Sequence, residues 1–220
     1  MLSTLLSHPT FTSVTSLTRR APPATGDKLN AVTEDSANWP SKLSSLQPPP
    51  SVFFSALGTT RAAAGSFANQ RKIDLDLNLE MAKAAKAAGT KVYVLISSGG
   101  ANASSFSPYM AMKGQLEEDV KALGFDKTII LRPGLIVGDR QESRPPEAAV
   151  RFLAKGLTAI SPSLTSWWAQ DASVIAKAAV HAGIKALNGD RVAMEEKGQT
   201  VVIVGQSDIV RLGQTEWKDL

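Results

Sequence analysis

The chain of 220 residues contains no cysteine and only two histidines. Without cysteine there are no disulfides, no thiolate zinc sites and no cysteine nucleophile. His8 and His181 are far apart in the sequence, so we expect no metal centre and interpret both as surface or core residues. No apolar run approaches the roughly 20 residues that a membrane-spanning helix requires.

The net charge and the aromatic content are also low. Lys and Arg number 24 against 20 Asp and Glu, for a formal net charge of +4, and aromatic residues make up 6%. Because the basic residues are scattered, we expect no nucleic-acid partner. With 43% hydrophobic residues, the length and composition predict a single domain, residues 1–220, with a full core.

Glycine is missing from the beginning of the chain, where no glycine precedes Gly26. A dinucleotide-binding domain usually opens with a strand, a glycine-rich loop and a helix, because the bare amides of that loop receive a pyrophosphate. Here no strand-like run precedes the first helical segment. The glycine fingerprint is therefore absent from this sequence.

Two interpretations of residues 1–26 remain open. The segment has no acidic residue and many Ser and Thr, a composition that suits a mitochondrial presequence. Alternatively, residues 2–6 form a helix with leucines on one face, and Ser13–Thr18 forms a strand that ends at Arg19 and Arg20. We favour the second interpretation, since a doubly wound fold places such an arginine beside an adenosine ribose, where it accommodates a 2′-phosphate.

Short apolar runs alternate with helical periodicity along the rest of the chain, which predicts an α/β fold with a parallel sheet. A helix is predicted over Ile73–Ala88, because Ile73, Leu77, Met81 and Ala84 recur at 3.6-residue spacing on one apolar face, and Gly89 ends it. Another helix is predicted over Pro108–Leu123. A further helix, capped by Asp171 or Ser173, should run to about Leu187. The predicted strands are Lys28–Thr33, Ser51–Leu57, Lys91–Ile96, Thr128–Gly134 continuing to Gly138, and Thr200–Val204.

Tyr109 and Lys113 follow a strand end of sequence Ile-Ser97-Ser98-Gly-Gly. Positions i and i+4 of a helix share one face, so the lysine ammonium lies one turn from the phenol. Such a charge is expected to lower the pKa of the tyrosine, which can then exchange a proton near neutral pH. A serine hydroxyl at the strand end could orient a substrate carbonyl. The alternative is an exposed tyrosine beside a solvated lysine.

Six short motifs stand out along the chain: Leu57-Gly-Thr-Thr-Arg61, Ala64-Gly-Ser66, Leu95-Ile-Ser-Ser98, Tyr109-x-x-x-Lys113, Leu131-Arg-Pro-Gly134 and Asp139-Arg-Gln-Glu-Ser-Arg-Pro145. Together they resemble the atypical short-chain dehydrogenases related to the human Tat-interacting oxidoreductase, and in particular their fungal mitochondrial branch. The resemblance covers nearly the whole chain.

The resemblance implies a Rossmann-like doubly wound parallel sheet and an oxidoreductase that uses NADP(H), with NAD(H) the less favoured cofactor. By it, Tyr109 is the general acid/base, Lys113 holds the nicotinamide ribose, and Ser98 orients the carbonyl, with Ser97 next in line. The implied cofactor contacts are Arg19 and Arg20 at the 2′-phosphate, Gly58, Thr59 and Thr60 along the ribose-phosphate path, and Pro133, Gly134 and Leu135 beside the nicotinamide.

The rest of what the resemblance implies concerns substrate and location. Residues 139–199 should form the substrate side, where Trp167 and Trp168 are either an aromatic wall or packing residues. The polar segment 139–145 is distinctive but has no assigned chemistry. The substrate is an unidentified carbonyl or alcohol, and the expected location is peripheral on the mitochondrial outer membrane, with the cytoplasm as alternative. A non-catalytic scaffold at that membrane is the alternative function.

The sequence departs from the family at its start, where a first strand and a glycine loop should lie directly before residues 2–6. We therefore expect an N-terminally incomplete Rossmann-like domain in which NADP(H) binding is weakened or lost. The missing strand would lie in the middle of the usual 3-2-1-4-5-6 order. Ser13–Thr18 and Ser51–Leu57 are thus predicted either to pair directly or to stand apart with a gap between them.

Overall fold

The computed structural model of the chain describes residues 1–137, 169–193 and 200–217. Segment 139–145, Trp167, Trp168 and most of the predicted substrate side lie outside the described residues. Within the described part the strands pair in three groups, all of them parallel. β1 (Val14–Thr18) pairs with β2 (Leu29–Thr33).

The larger sheet contains four strands. β3 (Val52–Ser55), β4 (Val92–Ile96) and β5 (Lys127–Leu131) lie side by side in sequence order. After β6 (Leu135–Val137) and β7 (Ala169–Asp171), which pair with each other, β8 (Val201–Val204) returns to the open side of β5.

Helices cover both faces of the larger sheet. In chain order they are α1 (Leu2–Ser7), α2 (Trp39–Ser44), α3 (Arg61–Ala64), α4 (Phe67–Arg71), α5 (Asn78–Ala88), α6 (Pro108–Ala122), α7 (Ala172–Leu187) and α8 (Gln206–Val210). A short 3₁₀ turn, Ser36–Asn38, precedes α2, and π turns at Lys72–Leu77 and Arg211–Thr215 follow α4 and α8.

The buried strands explain this layering. All of β4 except its last residue is buried, and its sequence Val-Tyr-Val-Leu-Ile has no polar position. A strand buried on both faces needs such a continuous apolar run. One core layer joins α2, α5 and α6 to one face of the sheet, and a second joins α7 and α8 to the other. The α/β prediction is therefore confirmed.

The helix predicted over Ile73–Ala88 exists, but it starts earlier and its buried face differs. α4, the π turn and α5 run without interruption from Phe67 to Ala88. We predicted Ile73 and Leu77 on the buried face, whereas both are half-buried and Asp74 and Asn78 are buried instead. The π turn changes the angle between successive side chains, which a fixed 3.6-residue period cannot anticipate.

β1 and β3 are not hydrogen-bonded to each other, so the sheet is divided. A cleft of about 670 Å³ separates them, and both strands line it along their length. No strand of the described residues lies in this cleft. Of the two predicted alternatives, direct pairing or a gap, the gap is observed.

Candidate active site

The Ser98 and Tyr109 side chains lie near each other, close enough for the Ser98 hydroxyl to lower the pKa of the phenol, while the Ser98 hydroxyl itself donates to the Gly99 carbonyl at 3.4 Å. Ser98 follows the end of β4, where the Gly99 amide donates to the Pro133 carbonyl at 2.7 Å and so ties this turn to the end of β5. Tyr109 lies in the first turn of α6, which begins at Pro108. Proline suits the first helical position because its missing N–H would have no partner there. The predicted Ser–Tyr pair is thus brought together.

Lys113 lies one turn beyond Tyr109 and is only 4% exposed. Burial lowers the pKa of its ammonium, and the charges of Asp74 and Glu117 oppose that shift. The lysine is therefore buried, and the charges of two carboxylates act on it. The alternative of a solvated lysine on an exposed helix face is excluded.

The pKa of Tyr109 is raised, contrary to our expectation that Lys113 would lower it. The main cause is burial of the phenol, the nearby Ser98 hydroxyl lowers the pKa, and the negative charge of Asp74 raises it further. The side chain still reaches the surface, since Tyr109 is 38% exposed. Without a ligand this tyrosine is therefore a neutral phenol at physiological pH.

Asp74 is a site residue that the sequence reasoning missed. It is 2% exposed, and its carboxylate accepts a hydrogen bond from the Thr59 amide at 2.6 Å and a longer one, at 3.5 Å, from Gln70. Burial raises the pKa of Asp74, while the Thr59 bond and the Lys113 charge lower it. Asp74 thus connects the turn after β3 to the lysine of α6.

Glu117 is the second missed residue, and it is fully buried. Ser97 donates to it at 2.5 Å, and Arg132 donates through Nε at 3.1 and 3.2 Å and through Nη2 at 2.5 Å. This arrangement joins α6 to the ends of β4 and β5. The i+4 spacing from Lys113 could have indicated a shared helix face, but nothing local predicted burial.

A further buried network lies below the site. Ser55 donates to Asn78 at 2.6 Å, Tyr93 donates to the same oxygen at 3.4 Å, and the Asn78 amide donates to the Leu57 carbonyl at 3.3 Å. Burial raises the pKa of Tyr93 far above its ordinary value. The chain has only two tyrosines. As the pH rises, Tyr109 therefore ionises before Tyr93, and the first tyrosinate signal reports on Tyr109.

The residues predicted along the ribose-phosphate path lie just beyond β3. Gly58 is close to Asp74, because a methyl group added at position 58 would be 3.8 Å from the carboxylate. The Thr59 carbonyl accepts from Gln70 at 3.3 Å, and Thr60 caps α3 by accepting from the Ala63 amide at 3.2 Å. Their side chains and amides are arranged by local turns, and their cofactor roles stay predictions.

The remaining predicted cofactor residues also lie at carboxyl ends of strands. Arg19 and Arg20 follow β1 and are exposed. Pro133 is buried after β5, the Gly134 amide donates to Gln170 at 3.3 Å, and Leu135 opens β6. Ligands of open α/β sheets bind at this edge.

Tyr109, Ser98 and Lys113 place two hydroxyls and one buried ammonium near the end of β4 and the start of α6, and their catalytic and cofactor roles stay predictions. The described residues contain no glycine fingerprint that could receive a pyrophosphate. They also contain no cluster of metal-ligating side chains and no helix long and apolar enough to cross a membrane.

The sheet order and the helices on both faces define a Rossmann-like protein with the fold shared by short-chain dehydrogenases and NAD-binding epimerases. Two solved structures illustrate the likeness. MoeE5 in complex with UDP-glucose and NAD has a TM-score of 0.57 at 15% identity, over 88% of this chain and 67% of that one. The Bordetella bronchiseptica enzyme WbmG in complex with NAD has a TM-score of 0.57 at 15% identity, over 98% and 84%.

The chain belongs to the HIM1 family, whose model matches residues 26–163. The protein fmp52, mitochondrial, of Aspergillus clavatus is 55% identical over 218 residues, which cover 97% of this chain and 92% of that relative. The protein FMP52, mitochondrial, of Coccidioides immitis is 44% identical over 232 residues, or 100% of this chain and 93% of that relative.

Proposed function

We propose that the chain belongs to an NADP(H)-dependent oxidoreductase that acts on a small carbonyl or alcohol. The observation that carries the proposal is the juxtaposition of the Ser98 and Tyr109 side chains, with buried Lys113 one turn away. A relation to the Tat-interacting oxidoreductases is part of this proposal. So is a peripheral position on the mitochondrial outer membrane, which the mitochondrial names of the relatives support only in part.

The raised pKa of Tyr109 suits proton donation. A neutral phenol can deliver its proton to a carbonyl oxygen as that oxygen becomes an alkoxide, and an ionised phenol cannot. Ser98 lies beside it and orients the same oxygen by a hydrogen bond. Lys113 then stabilises the phenolate that remains, because its positive charge lies on the same helix face. When bound, the nicotinamide supplies or accepts the hydride.

Cofactor preference is assigned to the end of β1. Arg19 and Arg20 are exposed cations at the carboxyl end of a strand, where a 2′-phosphate fits. A charge-assisted contact of this kind is worth about 1.5–3 kcal/mol, which is roughly ten- to a hundredfold in affinity.

The test is a binding titration of the purified chain with NADPH and NADH, followed by fluorescence of the reduced nicotinamide. We expect Arg19→Ala to weaken NADPH by roughly ten- to a hundredfold and to leave NADH nearly unchanged. Lys83→Ala, an exposed cation on α5, is the matched control. Equal losses for both nucleotides would contradict the assignment of Arg19 to the 2′-phosphate.

Tyr109→Phe separates chemistry from binding, because it removes the proton donor and keeps the ring. We expect NADPH to bind within about twofold of the original protein, while NADPH oxidation with a panel of small carbonyl compounds is lost. Turnover that survives this change would contradict the acid role.

The alternative candidate is a non-catalytic scaffold that uses the fold for protein contacts. The same titration decides between the two. Absence of saturable binding of either nucleotide to this chain favours the scaffold, and NADPH binding favours the enzyme.

A further inference from the structure

A second cavity, of about 640 Å³, lies at the carboxyl ends of β4, β5 and β8. Small-molecule sites have volumes of roughly 300–1,000 Å³, and open α/β sheets bind their ligands at this edge. No acidic side chain is among the described residues that line the cavity. These residues include three glycines, two polar side chains and one cation: Gly99, Gly100, Gly205, Gln206, Ser207 and Arg132.

Arg132 supplies the positive charge of this cavity, and part of its guanidinium is uncommitted. Nε and Nη2 donate to the buried carboxylate of Glu117. Both hydrogens of Nη1 and one hydrogen of Nη2 are left over. Within the described part of the chain the Arg132 side chain has no hydrogen-bond partner besides Glu117, and it is 32% exposed. The outer end of the guanidinium can therefore bind two oxygens of an external anion.

The walls of the cavity are held in place by the backbone. The Gly99 amide donates to the Pro133 carbonyl at 2.7 Å, and the Arg132 amide donates to the Val204 carbonyl at 2.9 Å. The buried Gln170 side chain donates to the Gln206 carbonyl at 2.8 Å, which fixes the start of α8. A site that is formed before its ligand arrives loses less conformational entropy on binding.

Glycine keeps one wall free of side chains. A methyl group on Gly99 would be 3.0 Å from the Pro133 carbonyl oxygen and 3.2 Å from Nε2 of Gln206, and Gly100 has a φ of +80°. Position 99 thus has no room for a side chain, and position 100 favours glycine. Among the described residues, the Gln206 carboxamide and the Ser207 hydroxyl have no hydrogen-bond partner, so both are available to a ligand.

The same wall borders the candidate catalytic pair. Gly99 and Gly100 directly follow Ser98 in the chain. A methyl group on Gly100 would be 3.8 Å from the sulfur of Met110, the residue next to Tyr109. A ligand in the cavity therefore lies across a single turn of backbone from Ser98.

From these observations we propose that the cavity binds a carboxylate group of the substrate. The substrate is then a small carbonyl compound or alcohol that also carries a carboxylate, a class that rests on the proposed function. A carboxylate suits the site better than a phosphate dianion. Arg132 already faces the charge of Glu117, and it is the only cation among the lining residues that the structure describes.

The test titrates the whole chain without nucleotide and follows the amide signals of Gly99, Gly100 and Gly205 by nuclear magnetic resonance. The probes are pyruvate, its uncharged methyl ester and inorganic phosphate, at neutral pH and equal ionic strength. We expect saturable shifts with pyruvate, at a dissociation constant at least about tenfold lower than for the ester or for phosphate. Equal binding of pyruvate and its ester, no saturable binding of pyruvate, or tighter binding of phosphate would each overturn the proposal.

A matched pair of variants places a charge at the cavity wall without disturbing the fold. Replacing Arg132 would leave Glu117 buried without its partner, so Gly205 is replaced instead. Gly205 has a φ of −77°, and a methyl group there would meet nothing within 4 Å. Aspartate and asparagine both suit this position before a helix, so Gly205→Asp and Gly205→Asn differ chiefly in charge.

We expect Gly205→Asp to weaken pyruvate binding by at least about tenfold, while Gly205→Asn stays within about threefold of the original protein. Equal affinities of the two variants for pyruvate would contradict a carboxylate site at this wall. Because no nucleotide is present, these results are independent of hydride transfer. The NADPH titration and Tyr109→Phe test the proposed function separately, so a failure of either proposal can be recognised by itself.

Discussion

Replacing Glu117 by glutamine tests whether its buried carboxylate stabilises the contact between α6 and the ends of β4 and β5. The change keeps the shape of the side chain but removes the charge that faces Arg132 and Lys113. Breaking a buried ion pair by removing one partner costs about 3–5 kcal/mol. The Arg132 side chain is 32% exposed, so water recovers part of its solvation, and glutamine can still accept from Ser97. We therefore expect a loss of about 2–3 kcal/mol in the free energy of unfolding.

The assay is urea unfolding followed by tryptophan fluorescence. With a denaturant slope of about 2 kcal/mol/M, that loss lowers the midpoint by roughly 1 M. The neighbouring Glu118→Gln is the matched control, because Glu118 is 59% exposed and its ion pair with Lys121 lies at the surface. A surface pair of this kind contributes about 0–1 kcal/mol. If the two variants unfold at the same urea concentration, the Glu117 carboxylate does not contribute the stability that its contacts indicate.

Two further predictions concern proton binding. Asp74→Asn should lower the pKa of Tyr109, because the Asp74 charge raises it. An alkaline titration of tyrosinate absorbance at 295 nm measures this pKa, with the exposed Asp76→Asn as the control. An unchanged titration midpoint in Asp74→Asn would refute the prediction. Burial, then His181 and Lys28, lower the pKa of His8, so the folded state binds this proton less readily than the unfolded state. The contribution of neutral His8 to the free energy of unfolding is therefore complete above about pH 6.5, and it is lost as the pH falls below that value. His8→Gln should flatten the melting temperature between pH 7 and 5, and an unchanged slope would contradict the assignment.

The strands could be predicted from the sequence because strands that are buried on both faces consist of continuous apolar runs. The run ending at Ile96 and the run ending at Val204 both became strands within one residue of the expected bounds. The cap at Asp171 was also visible, since its carboxylate accepts from the Ser173 amide at 2.7 Å. Strand ends were less certain: Ser51–Leu57 was predicted, and the strand stops at Ser55.

The site was predicted only where its partners are close in sequence. The spacing of Tyr109 and Lys113 is a helical repeat, and Ser98 lies one loop away. Asp74 reaches Thr59 across 15 residues, and Glu117 reaches Ser97 across 20. In a single sequence both look like ordinary charged residues of exposed helix faces. The predicted direction of the Tyr109 pKa shift was wrong for the same reason, because burial and the Asp74 charge are properties of the folded chain.

Gly114 lies next to Lys113 and allows α6 to touch the loop that follows β4. A methyl group there would be 2.1 Å from the Ala103 amide nitrogen and 2.2 Å from the Asn102 carbonyl carbon. The Asn102 amide also donates to the Met110 carbonyl at 3.1 Å. Loop and helix are therefore in direct backbone contact. Any side chain at position 114 would push α6 away from this loop, so the position of Tyr109 on the same helix depends on a glycine five residues away.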